Sequence, residues 1–133
     1  MLRGGDSIAS FVMADPETEE YWGQIALEDI DWRYRSAVMG IVIARSDKRN
    51  RGVGQEALTL LCRYAFETLM LNRVSLTVFA DNARARACYT KAGFMEEGVE
   101  RQAAVLDGRF VDIVMMGMLR SDWERTQEER ADV

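Results

Sequence analysis

The sequence predicts a mixed α/β fold. Three features carry that prediction: a strand hairpin near the start, two strand-to-helix units in series behind it, and a strand-rich final third. In the hairpin, Ile8, Phe11 and Met13 alternate as strand residues do, Asp15-Pro16-Glu17-Thr18 supplies turn chemistry, and a second strand runs from Tyr21 to Leu27. A third strand, Ser36 to Ala44, is β-branched and continuously apolar around Ile41-Val42-Ile43, which predicts cover on both faces. Leu58, Leu61, Cys62, Ala65, Phe66 and Leu69 then recur at helical spacing, so a helix over 54–70 should bury one stripe. Val74, Leu76, Val78 and Phe79 give the fourth strand. Asn82 has the chemistry to cap a second helix, which carries Ala85, Cys88 and Tyr89 and stops near Gly93. Phe94 to Val99, Ala103 to Leu106 and Phe110 to Met118 read as strands, the last two joined at Asp107-Gly108, a dipeptide suited to a two-residue hairpin turn. The charged segment after Arg120 reads as a short helix or a frayed tail; residues 1–7 and 121–133 are the expected frayed ends of a single domain spanning 1–133.

The totals narrow the function classes. A chain of 133 residues suits one domain, and 48% hydrophobic with 29% charged residues is the profile of a folded globular protein. Net charge is −5 and positive residues cluster only locally, which argues against nucleic acid as a partner. The longest apolar run, Ala37 to Ala44, is far below the roughly 20 residues of a membrane helix, so no membrane partner is expected. Two distant cysteines, Cys62 and Cys88, sit in apolar helical patterns and are expected to be buried and reduced, placing the chain in the cytoplasm. There is no histidine, which removes serine–histidine and cysteine–histidine pairs and the commonest zinc sites; no metal site is expected.

Arg49-Asn50-Arg51-Gly52-Val53-Gly54 lies between the third strand and the first helix, where an anion site is cheap to build. Free N–H groups of a first helical turn point outward, the helix dipole adds positive potential, and Gly52 and Gly54 let a diphosphate approach the backbone. With Arg45 and Lys48, the loop suits a small polyanion such as a phosphorylated coenzyme. A nucleotide P-loop is excluded, because Gly54 is followed by Gln55-Glu56 rather than Lys-Ser/Thr. A dinucleotide fingerprint stays open: Gly52 to Ala57 formally fits G-x-G-x-x-A and Asp81 follows a later strand. The polar segment Arg45 to Arg51 and the antiparallel hairpin upstream speak against it.

R-N-R-G-V-G followed by Q-E-A-L resembles the coenzyme motif Q/R-x-x-G-x-G/A of the GNAT superfamily of acetyltransferases. Asn82-Ala83-Arg84-Ala85 with Cys88-Tyr89-Thr90-Lys91-Ala92-Gly93-Phe94 resembles its N-x-x-A…Y-x-K-x-G-F block. The resemblance runs from Phe11 to Trp123. Glu20 to Asp31 and Asp107 to Asp112 are similar to the branch containing ribosomal-protein alanine and spermidine acetyltransferases. It implies a mostly antiparallel sheet with a central splayed strand pair, flanked by helices. That branch has a further strand and two helices before the first hairpin, forming one wall of the acceptor site. This chain starts almost at the hairpin, so the domain is expected to be N-terminally truncated.

The resemblance also implies roles. Acetyl-CoA would be the donor and a primary amine (protein N-terminus, polyamine or other small amine) the acceptor. Ile41, Val42 and Ile43 would pair their backbone with the pantetheine arm, Arg49 to Gly54 would hold the pyrophosphate, and Asn82 and Lys91 would complete the coenzyme site. Tyr89 would protonate the departing thiolate. Glu28, in the acidic group Glu28, Asp29 and Asp31 after the second strand, is the candidate to accept the amine's proton. A coenzyme binder without catalysis is the alternative, and a homodimer covering a sheet edge is the expected assembly.

Overall fold

The computed structural model describes residues 9–14, 17–43 and 53–131. The chain divides after Val74 into two compact units.

In the first unit, β1 (Ala9–Ala14), β2 (Tyr21–Asp31) and β3 (Ser36–Ile43) form an antiparallel meander. Register puts Phe11 beside Ile25 and Ile25 beside Ile41, with Ala9, Leu27 and Met39 in the next row on the same face. That face takes α1 (Val53–Arg63) and the π-helical turn Tyr64–Thr68, whose Tyr64 ring meets Phe11 edge-on at 5.2 Å. The predicted helical stripe is the one that buries: Leu58, Leu61, Cys62, Ala65 and Phe66 are all inside. Each large apolar side chain withdrawn from water contributes about 1.5–3 kcal/mol, which outweighs propensity in setting this helix's orientation. The unit is closed by the Arg35 carbonyl, which accepts from Asn72 N (2.7 Å) and Arg73 N (3.1 Å).

Two expectations for this unit need correction. β2 does not stop at Leu27 but continues to Asp31, so Glu28, Asp29 and Asp31 are strand residues rather than a following loop. Pairing of Glu28 with Val38 and of Asp31 with Ser36 holds the extension, and a bulge between them accommodates Asp29 at φ +50°. Nor is β3 covered on both faces, since Val38 and Val42 are exposed, Val42 to 56%. A continuous apolar run does not reveal which side is covered, and here Ala37 and Met39 go into the core while Val38 and Val42 do not.

In the second unit β6 (Arg109–Leu119) lies between β4 (Arg73–Phe79) and β5 (Met95–Leu106). Val74, Leu76 and Val78 are buried at period two along β4, as the alternation predicts. α2 (Ala83–Ala92) begins at Asn82, whose Oδ1 accepts from Ala85 N at 3.2 Å. It ends in a Schellman pattern: Gly93, at φ +121°, donates to the Thr90 carbonyl and Phe94 donates to the Tyr89 carbonyl. β5 and β6 are antiparallel, and Asp107 and Gly108, both at positive φ, make the two-residue turn that closes them at Leu106 and Arg109. The antiparallel ladders β1–β2–β3 and β5–β6 do not suit a doubly wound dinucleotide domain.

Of the two readings of the segment after Arg120, the helix holds and the frayed tail does not over residues 120–131: α3 (Arg120–Ala131) is packed on β6. Only Asp122 and Trp123 are buried on it, so its sequence lacks a long apolar stripe. Asp122 holds the start by accepting from Leu119 N and from Arg125 Nη2, both at 2.9 Å.

Candidate functional site

The second unit contains a cavity of about 200 Å³ at the end of β4, lined by Thr77, Val78, Phe79, Asn82, Ala85, Tyr89 and Ile113. Helix geometry explains why Asn82, Ala85 and Tyr89 meet there. They stand at intervals of three and four residues, which keeps them on one face of α2. Asn82 is tied at the corner as well, its own N–H donating to the Phe79 carbonyl at 3.0 Å.

Tyr89 is oriented by the end of its helix. It is three residues before the last one of α2, and Phe94, the residue beyond Gly93, packs edge-on against its ring with centroids 6.0 Å apart. Burial raises the phenol above its ordinary pKa, and the neighbouring Cys88 thiol pushes in the same direction. The hydroxyl is therefore a proton donor throughout the neutral range. Cys88, expected to be buried, is only half-buried; burial raises its thiol, and the Lys91 charge partly opposes that rise. The net rise disfavours a nucleophilic thiolate.

Arg49, Asn50, Arg51 and Gly52 lie outside the described residues. Val53 and Gly54 open α1, and a Cβ placed on Gly54 would meet nothing within 4 Å, so no neighbour among the described residues demands a glycine there. Glu56 brings a carboxylate into the same first turn, a charge favourable to the helix dipole. Ile41, Val42 and Ile43 form the last part of β3, paired to β2 at Ile25, Gln24 and Gly23. In such a ladder alternate residues turn their N–H and C=O away from the partner strand. Glu28 is exposed and its Oε1 stands 4.0 Å from the Cβ position of Gly40, so the carboxylate hangs over β3. Lys91 is exposed in the last turn of α2 and is not among the residues lining the cavity.

Thr77, Val78, Phe79 and Ile113 were not read from the sequence as site residues. They reach the cavity from strands β4 and β6, whose meeting no local spacing announces. Arg86 was missed as well: its Nη1 donates to the Ala80 carbonyl at 2.7 Å, and its Nε and Nη2 to Glu96 Oε2 at 3.1 and 2.6 Å.

Among the described residues no helix is long and apolar enough to cross a membrane. Comparison with known proteins gives related acetyltransferases. A protein of Bacillus subtilis (strain 168), YdaF, provisionally named a ribosomal N-acetyltransferase, is 35% identical over 102 residues, which are 77% of this chain and 55% of that protein. The spermidine N(1)-acetyltransferase of Vibrio cholerae is 29% identical over 118 residues, covering 89% of this chain and 67% of the enzyme. A dodecameric structure of the spermidine N-acetyltransferase from Vibrio cholerae superposes with a TM-score of 0.83 at 28% identity, covering 90% of this chain and 68% of that one. The chain thus spans little more than half the length of the Bacillus relative. The model of the acetyltransferase (GNAT) domain matches residues 3–95, most of the chain, and with this fold and these relatives the chain belongs to the GNAT acetyltransferase family.

Proposed function

We propose that this chain transfers an acetyl group from acetyl-CoA to a primary amine by direct attack, with Tyr89 as the acid. The observation that carries the reading is a protonated, oriented phenol on the same cavity as Asn82 in a chain of this family. Coenzyme binding would draw on Arg49 to Gly54 for the pyrophosphate, on the main chain of Ile41 to Ile43 for the pantetheine arm, and on Asn82 and Lys91. The open space around Gly54 is compatible with a ligand at the start of α1.

In the reaction, the lone pair of a neutral amine adds to the thioester carbonyl carbon, so a C–N bond forms. The C–S bond then breaks and its electron pair stays on sulfur. Tyr89 gives its phenolic proton to that sulfur. The surplus proton on the new amide nitrogen leaves to water, with Glu28 as the carboxylate relay, and Tyr89 regains a proton from solvent. The products are the acetylated amine and the free coenzyme thiol. Acceptors in keeping with the relatives' names are spermidine and an alanine of a ribosomal protein.

Thiol release from acetyl-CoA with spermidine or an N-terminal alanine peptide tests this. Tyr89→Phe should lower kcat by about 100-fold or more while the KM for acetyl-CoA stays within about threefold. Unchanged kcat would remove Tyr89 from the role. Coenzyme binding without turnover is the second reading. A melting-temperature rise with acetyl-CoA and no thiol release under any acceptor would establish it, and a rise with NAD alone would reject both. A homodimer belongs to the proposal too. β1 is the outer strand of its meander, with Val12 exposed, and the Vibrio structure is dodecameric. Light scattering that shows only monomer at micromolar concentration would refute it.

A further inference from the structure

We infer that Arg86 is a positioning residue for the donor cavity, acting by clamping the carbonyl at the end of β4 to helix α2. The inference rests on the proposed use of the cavity and adds a residue to it.

The geometry is a three-way tie. Arg86 stands one turn after Asn82, and from there a planar guanidinium reaches two elements at once. One edge, Nε and Nη2, is held by Glu96 on β5. The outer nitrogen Nη1 is thereby aimed at the Ala80 carbonyl, 2.7 Å away. Ala80 follows the last residue of β4, and its own N–H donates to the Asp112 carbonyl of β6 at 2.9 Å. The corner between Phe79, which lines the cavity, and Asn82, which caps the helix, is therefore fixed at Ala80 by both main-chain groups of one residue. An ammonium group cannot do this, because it is a point charge without the fork. The side chain is one-third exposed, so the ion pair with Glu96 adds little stability by itself. Its consequence is directional: it sets where Nη1 points, and Nη1 sets the distance between the strand end and the helix start. A corner free to open would let Asn82 drift from Phe79 and admit water beside Tyr89.

Arg86→Met and Glu96→Gln, made in the full chain, separate this from general packing. In Arg86→Met, the amide of Ala85, which bonds to Asn82 Oδ1, should exchange its hydrogen at least about tenfold faster, and the KM for acetyl-CoA should rise about tenfold. In Glu96→Gln, which keeps an acceptor for the guanidinium, both should stay within about twofold. An Arg86→Met protein that is folded by circular dichroism yet keeps the parent's Ala85 exchange and KM overturns the inference. So does a Glu96→Gln protein as impaired as Arg86→Met. If the parent chain itself fails to bind acetyl-CoA in calorimetry, the reading of the cavity falls and this inference with it; parental binding with unaltered variants sinks only the role of Arg86.

Discussion

Replacing Gly93 by alanine loads strain onto the turn that aims Tyr89. Gly93 sits at φ +121°, a conformation that L residues rarely adopt, and this costs about 1–3 kcal/mol. The new Cβ would also stand 3.1 Å from Thr126 Oγ1 and 3.4 Å from Met118 Cε, tight enough to displace the hydroxyl that donates to the Asp122 carbonyl. Weakening that bond adds up to about 1 kcal/mol. Alanine restricts the unfolded chain and returns less than about 1 kcal/mol. The balance is a loss of about 2 kcal/mol, readable as a lower urea midpoint at unchanged slope. A loss below about 0.5 kcal/mol would refute the reasoning, since it would mean that the turn relaxes to negative φ without disturbing β6 or α3. Because Phe94 would shift with the turn, kcat should fall as well.

Further predictions follow from the same geometry. Gly54→Ala has open space and helical backbone, so stability should hold or rise by up to about 1 kcal/mol while acetyl-CoA affinity drops; unchanged affinity in calorimetry would remove the α1 terminus from the coenzyme site. Tyr89 is raised in the folded state, so its contribution to stability is intact below the ordinary tyrosine value near 10 and lost as pH climbs through the folded value. The urea midpoint should accordingly fall more steeply above pH 10 in the parent than in Tyr89→Phe, and parallel profiles would contradict that. Cys88, raised chiefly by burial, should react with iodoacetamide at pH 8 more slowly than a peptide thiol, and more slowly still in Lys91→Gln.

The parts of the fold that were legible in the sequence are those fixed by one residue's backbone chemistry. Asn82 and Gly93 mark both ends of α2, and Asp107-Gly108 marks the β5–β6 turn, because a side-chain cap and positive φ are properties of particular residue types. Glu28 to Asp31 misled because solvent-facing strand positions tolerate polar residues, and nothing local announces that Val38 and Ser36 stand opposite. The solvent side of β3 and the helix after Arg120 depend on what packs against them. For α3 that is two buried residues, too few to show a period. The candidate site divides in the same way. Asn82 and Tyr89, two turns apart on one helix, are visible in the sequence, whereas Thr77, Ile113 and the Arg86–Glu96 tie come from separate elements. Arg49 to Gly52 lie outside the described residues, so for them the sequence reading stands by itself.

Asn82 is where the structural and functional readings are hardest to separate, because a helix cap accounts for it without any ligand. Its carbonyl oxygen is committed to the Ala85 amide, which leaves the Nδ2 hydrogens as the part a coenzyme would use. Asn82→Ala cannot discriminate, since losing the cap costs about 1 kcal/mol and disturbs the corner whichever reading holds. Asn82→Asp can. It keeps an acceptor for Ala85 and places a negative charge at the positive end of the helix dipole, so the fold should be as stable as the parent or better by a few tenths of a kcal/mol. It also removes both amide donors and sets a carboxylate in the cavity proposed for an anionic coenzyme. One lost hydrogen bond with added repulsion corresponds to about a tenfold rise in the KM for acetyl-CoA. If Asn82→Asp melts like the parent and its KM is unchanged, Asn82 is a cap and nothing more, and the donor must be held by the main chain of β3 and the α1 terminus alone.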